Sequence, residues 1–329
     1  MSESRLIKEG NGIVYHYTSL ETLLKILDGT KDNQFLFHGT DIFSMNDPTE
    51  FLHGFTELWS ILPVIENELY QSIKNAPQTY NINESFLDNK FRLSNMWKRL
   101  NESNDSCLKT YIETIHKSYV SPFVISLSCN GDCLPMWVTY GDHGYGVAMG
   151  MDIQAYYKKR SLDDGTTLLD FTSYDKRELH SILVTYDKIS INHPLAIYAR
   201  FYIVKYLRSI PALNIDDESL LKLQMNALDS ITILASAMIK NTAYRYEEES
   251  RLVSFKQDEN DVKYKLSSTK KLLPYIHVAI STSKLKKIVI GPCCDYNNIK
   301  FALKKRLEQL GIPLKDEDIE KSIVPYRIF

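Results

Sequence analysis

Residues 244–255 read Tyr-Arg-Tyr-Glu-Glu-Glu-Ser-Arg-Leu-Val-Ser-Phe, three consecutive carboxylates running into a strand-like apolar sequence. A strand sends successive side chains to opposite faces. The stretch therefore predicts Glu247, Glu249 and Arg251 on one face, with Glu248, Ser250 and Leu252 on the other. Two carboxylates sharing a face repel unless a cation or a cationic transition state lies beside them. A solvated acidic turn ahead of a strand explains the same residues with no site at all. The sharper reading gains from its company: a His-Tyr-Thr near the N-terminus and a Trp-x-x-Tyr in mid-chain.

At 329 residues, with 44% apolar and 24% charged side chains, the chain has the makings of a globular protein with a sizeable core. Its formal net charge of −2 excludes a global field that draws in nucleic acid or an anionic membrane, and leaves a local basic groove open. No apolar run reaches the ~18 residues of a membrane span, and the first ten residues lack the apolar stretch of a signal peptide. The five cysteines, an odd number with Cys293 and Cys294 adjacent, do not form a secreted disulfide framework. We therefore expect a cytoplasmic protein with reduced thiols and no membrane contact. Cys129-x3-Cys133 lacks a second ligand pair, so no metal site is expected.

The pattern along the chain predicts an α+β fold, read most simply as a single domain over 1–329 with helical insertions at about 49–119 and 192–243. A strand at 12–18 leads through the N-cap candidate Ser19 to a helix with a Leu20, Leu23, Leu24, Leu27 stripe. Ser44–Glu50, with Asn46, Asp47 and Pro48, reads as a turn capping a helix to about residue 75 whose inward residues are Phe51, Phe55, Leu58, Leu62 and Ile65. Further elements are a helix over 91–119, a strand over 122–128, a helical turn over 134–142, a Gly-rich strand over 144–152 and a strand over 183–186. Helices at 192–208 and 217–243 precede the acidic stretch. Strands at 262–266, 275–281 and 285–291, a helix from Asp295 to about 310 and a last strand at 323–328 complete the reading.

Each candidate residue has a bland reading beside the chemical one. His16, between two tyrosines on a short strand, suits a satisfied core imidazole, or a ring nitrogen that holds a ribose hydroxyl or a carbonyl. Thr18 serves a helix cap or a ligand hydrogen bond. Trp137 and Tyr140 share a helix face at a spacing common in cores, and one suited to stacking on a flat heterocycle. Ser126 and Ser128 alternate on their strand, facing water or orienting a carboxylate. No P-loop, nucleophile elbow or metal-binding His pair is present, so hydrolase and metalloenzyme readings have no footing.

In order, these residues carry a resemblance: Tyr15-His16-Tyr17-Thr18, Met45-Asn46-Asp47-Pro48-x-Glu50, Ser126-x-Ser128, Met136-Trp137-x-x-Tyr140 with Gly144-x-Gly146, Tyr246-Glu247-x-Glu249-x-Arg251, and Ile288-x-Ile290-Gly291. The set resembles the bacterial family named for "domain of unknown function 2971". More distantly, a His-x-Thr strand before a Leu-rich helix, a following Asn-Asp and a late strand-edge glutamate resemble the ADP-ribosyltransferase superfamily, nearest to its nucleic-acid-modifying branch in the opening segment.

That second resemblance implies a split antiparallel β-sheet core carrying a His, an aromatic and a Glu on three successive parts. It implies NAD as substrate, with His16 on a ribose, Tyr140 (or Trp137 or Tyr17) on the nicotinamide, Glu249 as catalytic carboxylate and Glu247 as first member of a Glu-x-Glu pair. Thr18, Asn46, Asp47, Ser126, Ser128 and Arg251 complete the implied cofactor-binding set. The expected activity is transfer of ADP-ribose or hydrolysis of NAD, in a bacterial toxin or phage-defence effector. Its acceptor (nucleic acid, protein, small molecule or water) is open, as is a neutralising or sensor partner. The alternatives are a non-enzymatic nucleotide-binding or sensing module on the same fold, and a plain structural or interaction protein.

Overall fold

The computed structural model describes residues 12–45, 50–102, 122–153, 157–161, 167–171, 179–210, 216–254, 261–267 and 270–326. Asn46, Asp47 and Pro48, and the part of the expected 91–119 helix beyond Glu102, lie outside the described residues.

Strands are β1 (Ile13–Thr18), β2 (Gln34–Asp41), β3 (Phe123–Ser128), β4 (Val147–Asp152), β5 (Tyr157–Ser161) and β6 (Thr167–Phe171). They continue with β7 (Leu179–Leu183), β8 (Glu249–Ser254), β9 (Lys263–Leu266), β10 (Leu272–Ser281), β11 (Leu285–Ile290) and β12 (Ile319–Lys321). Helices are α1 (Leu20–Asp28), α2 (Glu50–Asn75), α3 (Leu93–Glu102), α4 (Leu134–Thr139), α5 (Pro194–Ser209), α6 (Asp217–Met238) and α7 (Tyr296–Gln309). The result is a mixed α+β architecture built on a largely antiparallel open sheet.

Local chemistry sets several boundaries. Ser19 caps α1 by accepting the Thr22 amide at 3.1 Å, and Asp216 and Asp295 cap α6 and α7 in the same way. In α1, Leu23, Ile26 and Leu27 are buried while Leu24 faces solvent, so the inward stripe is narrower than the leucine pattern suggests. Glu66 of α2 reaches across to accept the Leu93 amide at 2.7 Å, satisfying an orphan donor at the start of α3.

The sheet runs β12-β11-β4-β1-β3-β2-β10-β9, with β8 and then β7 branching from β3. Among the described residues, only β11 and β12 pair in parallel in this sheet. One edge of β3 pairs with β8 along its whole length, from Phe123↔Ser254 to Ser128↔Glu249. Its other edge is shared. Ser128 pairs with Tyr15 of β1, while Phe123 and Val124 pair with Asp41 and Thr40 of β2. Between these contacts β1 and β2 diverge, and the sheet forks beside Ser126.

Two apolar layers hold the sheet. One face packs Val14, Phe37, Leu127, Met149, Leu252 and Ile288 against α1 and α7. The other presents Val124, Ile182 and Val253 to the bundle of α2, α5 and α6. A third, smaller cluster packs Tyr17, Ala148 and Val289 against Met136 and Trp137 of α4. Each large side chain so buried stabilises the fold by roughly 1.5–3 kcal/mol relative to exposure.

Several elements differ from expectation: α6 stops at Met238 rather than 243, and β4 starts at Val147 rather than 144. The strand expected at 183–186 lies earlier, at Leu179–Leu183, because its pairing register is set by β8. The last strand is Ile319–Lys321 rather than 323–328, and Ile323 is exposed; the chain there turns to Asp132, which accepts the Ile323 amide at 2.8 Å.

Gly54 in α2 sits against the backbone of α6, and a Cβ there would lie 2.7 Å from the Ala235 carbonyl oxygen. Helix propensity favours alanine by about 1 kcal/mol, but an overlap with rigid backbone outweighs it. Gly54→Ala is expected to destabilise the protein by about 1–3 kcal/mol in urea unfolding; an unchanged midpoint would contradict this packing.

Candidate functional site

Asn241 opens a 3-10 turn over Thr242–Glu247 by accepting the Ala243 amide at 2.9 Å. Glu248 then takes a left-handed conformation, φ 42° and ψ 51°, and β8 starts at Glu249. The expected strand alternation from Glu247 onward is corrected accordingly: it begins only at Glu249. Glu247 and Glu249 flank a kink and still converge, because both carboxylates reach the same lysine.

Lys240, just past the end of α6, places its Nζ 2.6 Å from Glu247 Oε2 and 3.1 Å from Glu249 Oε2. Arg251 grips Glu249 from the other side, Nε to Oε1 and Nη2 to Oε2, both at 2.9 Å. Its Nη1 donates to the Ala237 carbonyl at 3.1 Å, at the C-terminal end of α6 where a cation is favoured. Tyr140 donates to Glu247 Oε1 at 2.9 Å. The Glu249 side chain is 2% exposed and that of Arg251 is 0% exposed. Two acids and two bases thus balance inside the protein, as buried charges must.

Burial pushes the Glu249 carboxyl up. The charges of Arg251 and Lys240, with hydrogen bonds from Arg251 and Ser126, outweigh it and hold the pKa down at about 2. Burial raises the Tyr186 phenol well above its ordinary range, and its oxygen accepts the Glu249 amide at 2.9 Å. Arg245 takes no part: it pairs with Asp187 at the surface.

His16 stands in the fork. Its Nδ1 lies 3.4 Å from the Ser126 carbonyl oxygen, and its ring meets Phe37 edge-on at 5.2 Å. Burial, opposed by the Ser126 carbonyl and reinforced by the charge of Lys265, lowers its pKa to about 4, so the imidazole is neutral at neutral pH. Ser126 therefore bears on both groups: its carbonyl meets His16, and its side chain helps hold the Glu249 carboxyl ionised.

The remaining candidates lie around this centre. Ser128 is buried and donates to the Glu247 carbonyl at 2.7 Å, and Cys129 N–H donates to the Glu248 carbonyl, so the two residues pin the acidic turn to β3. Tyr17 is buried against Trp137 with ring centroids 4.8 Å apart; its hydroxyl donates to Asn130 O and accepts Cys133 N–H. Trp137 is fully enclosed and donates to Asp132 at 2.6 Å. Thr18 is buried, and its carbonyl lies where a Cβ on Gly146 would come within 2.2 Å, so glycine is required there. The structure brings together Ser126, Tyr140, Glu247, Glu249 and Arg251, and His16 meets this group only at the Ser126 carbonyl. It sets Tyr17, Thr18 and Trp137 into the packing beside them.

Lys240 was missed by sequence reasoning. The signal was present: it is the single charge closing the apolar run Ile231-Thr-Ile-Leu-Ala-Ser-Ala-Met-Ile239.

Residues 136–252 match the model of the family described as protein of unknown function (DUF2971). The DUF2971 span begins at Met136 and ends in β8, so it holds Tyr140, Lys240, Glu247, Glu249 and Arg251 and leaves His16 outside. No curated protein and no solved structure matches the chain. Among the described residues, no group of three or more His, Cys, Asp or Glu side chains is placed to hold a metal ion, and no helix is long and apolar enough to cross a membrane.

Removing one partner of the network strands a buried charge. Lys240→Met is expected to cost about 3–5 kcal/mol in denaturant unfolding; a loss below that of an ordinary surface substitution would contradict the network. The pH dependence follows from Glu249. Its folded pKa of about 2 lies below its ordinary 4.5, so the unfolded state binds more protons between these values. This contribution is complete above pH 4.5 and drains as pH falls toward 2. Melting temperatures measured across that window should fall steadily in the wild type.

Proposed function

We propose that the protein binds NAD at the fork between β1, β3 and β8 and breaks its nicotinamide–ribose bond in the manner of an ADP-ribosyltransferase. The observation that supports this reading is the place of Ser126 on a forked antiparallel sheet, where its carbonyl meets a half-buried neutral imidazole and its side chain helps keep a buried carboxylate ionised. The superfamily resemblance implies a His and a Glu on separate strands of such a sheet.

In this proposal His16 bonds a ribose hydroxyl, and the Tyr140 ring, oriented by its bond to Glu247, lies against the nicotinamide. The glycosidic carbon–nitrogen bond breaks with its electron pair leaving on nicotinamide. Positive charge then grows on the ribose, and the ionised Glu249 stabilises it. The acceptor's oxygen or nitrogen, or water, forms the new bond to that carbon and releases a proton. Electrostatic preorganisation of this kind is commonly worth ~3–4 kcal/mol per group. Tyr17, Thr18, Ser128 and Trp137 act as the wall that fixes these groups. The setting, a bacterial toxin or defence effector, rests on the resemblance.

A specific observation favours a second reading, a non-enzymatic nucleotide-binding or sensing module. Both oxygens of Glu249 are engaged by Arg251, and Lys240 adds a second cation, so the carboxylate's charge is largely neutralised in place.

Incubation with NAD, following nicotinamide release and NAD binding together, separates the readings. The enzyme reading expects release that falls roughly 10²-fold or more in Glu249→Gln, with circular dichroism confirming that the variant is folded. His16→Ala, outside the buried ion network, is expected to weaken NAD binding while leaving stability near wild type. Binding without release selects the sensing module. Neither binding nor release, with a range of acceptors present, rules out both.

A further inference from the structure

The second limb of the fork, β2, β10 and β9, carries a surface that none of the above uses. Phe35, Phe37, Ile276 and Val278 face the core on one side of it. On the other side the register places His277 opposite His38, Tyr275 opposite Thr40 and Lys263, and Leu273 opposite Lys265. His38 and His277 stack with centroids 5.3 Å apart and planes 17° from parallel, and Tyr275 lies 4.1 Å from His38. Three rings thus form one terrace, and His38 is exposed.

The charge of this terrace is one-sided. Lys265 Nζ donates to Thr40 Oγ1 at 3.0 Å and sits 5.7 Å from the Tyr275 ring centre. Among the described residues no carboxylate pairs with Lys263 or Lys265. Burial pulls the Lys265 amine down from its ordinary value, the response of a half-buried cation without an anion. Burial likewise depresses His38 to about 4, and the charges acting on it, Lys265, His277 and Lys263, all lower it further. A chain with a net charge of −2 therefore has a local positive face with aromatic rings in it.

We propose that the outer face of β2, β10 and β9 binds a segment of single-stranded nucleic acid. An unpaired base stacks on the His38–Tyr275–His277 terrace, and the backbone phosphates lie along Lys263 and Lys265. Stacking platforms beside a cationic track are the sequence-tolerant way to hold an unpaired strand. The two lysines, two positions apart on a strand, lie about 6.6–7 Å from each other along β9, so they meet successive phosphates rather than one. A free phosphate would use the cations and leave the rings idle; a duplex would keep its bases stacked and leave the rings idle as well. The binding stands on this face alone and does not depend on NAD chemistry at the fork.

The test is fluorescence anisotropy of a short labelled single strand, in a DNA arm and an RNA arm, with the full chain. We expect salt-sensitive binding in at least one arm, out-competed by unlabelled single strand and not by inorganic phosphate or the matching duplex. Tyr275→Ala should lose about tenfold in affinity, the scale of one base stack, while Tyr275→Phe retains it. Lys263→Gln with Lys265→Gln should lower the salt slope by about 1.4. Failure to bind either strand, equal binding by duplex, or affinity unchanged in both Tyr275→Ala and the lysine double variant would overturn the proposal.

Discussion

Lys240, Glu247, Glu249 and Arg251 must be neutralised together or not at all. Each ion left alone in this interior costs several kcal/mol, so the position of every element that supplies one is fixed by the others. α6 must end where its last carbonyls can receive Arg251, and the chain must reverse within a single turn to bring Glu247 back to Lys240. Glu248 adopts a left-handed conformation to do this, and Ser128 and Cys129 of the neighbouring segment hold the turn by its carbonyls. The helical bundle and the sheet are therefore joined by a charge condition as well as by apolar packing. Apolar contact alone would tolerate small slips between α6 and β8; bidentate hydrogen bonds at 2.9 Å do not.

Features governed by near neighbours were legible in the sequence. Ser19 and Asp295 announce their helices because a cap acts on amides two or three residues away. The strand at 123–128 and the amphipathic run beginning near Glu50 were legible for the same reason. Periodicity failed at the acidic stretch, where one left-handed residue breaks a two-residue repeat that looked continuous. Lys240 escaped notice because a charge at the end of an apolar helix ordinarily reaches solvent, and its burial is decided by residues on β8. The fork was beyond local reading altogether. It depends on β3 sharing one edge between two strands separated from it by roughly a hundred residues and by the insertion that carries α2.

The fork also explains why the titrating groups of the site behave so differently. Glu249 sits on the face of β8 turned toward the bundle, where two cations are fixed, and stays ionised. His16 sits in the gap between diverging strands, with a carbonyl and an aromatic edge for neighbours and no carboxylate among the groups that shift it, and stays neutral. Environments that push an acid and a base to opposite charge outcomes within one small region are a hallmark of sites that act on ligands.

Lys265 connects the two limbs. Its charge lowers the proton affinity of both His16 in the fork and His38 on the terrace. A phosphate resting on Lys265 would cancel that repulsion, yet burial is the largest cause of the His16 shift and is unaffected by such an anion. His16 therefore remains neutral whether or not the terrace is occupied. Electrostatics alone gives the two surfaces little means of influencing each other, so coupling between them requires the limbs of the sheet to move. The three residue pairs that hold β3 to β1 at Ser128 and to β2 at Val124 and Phe123 are few beside the full ladder between β3 and β8. Motion that opens the fork thus has the least backbone pairing to disrupt along the seam where His16 stands.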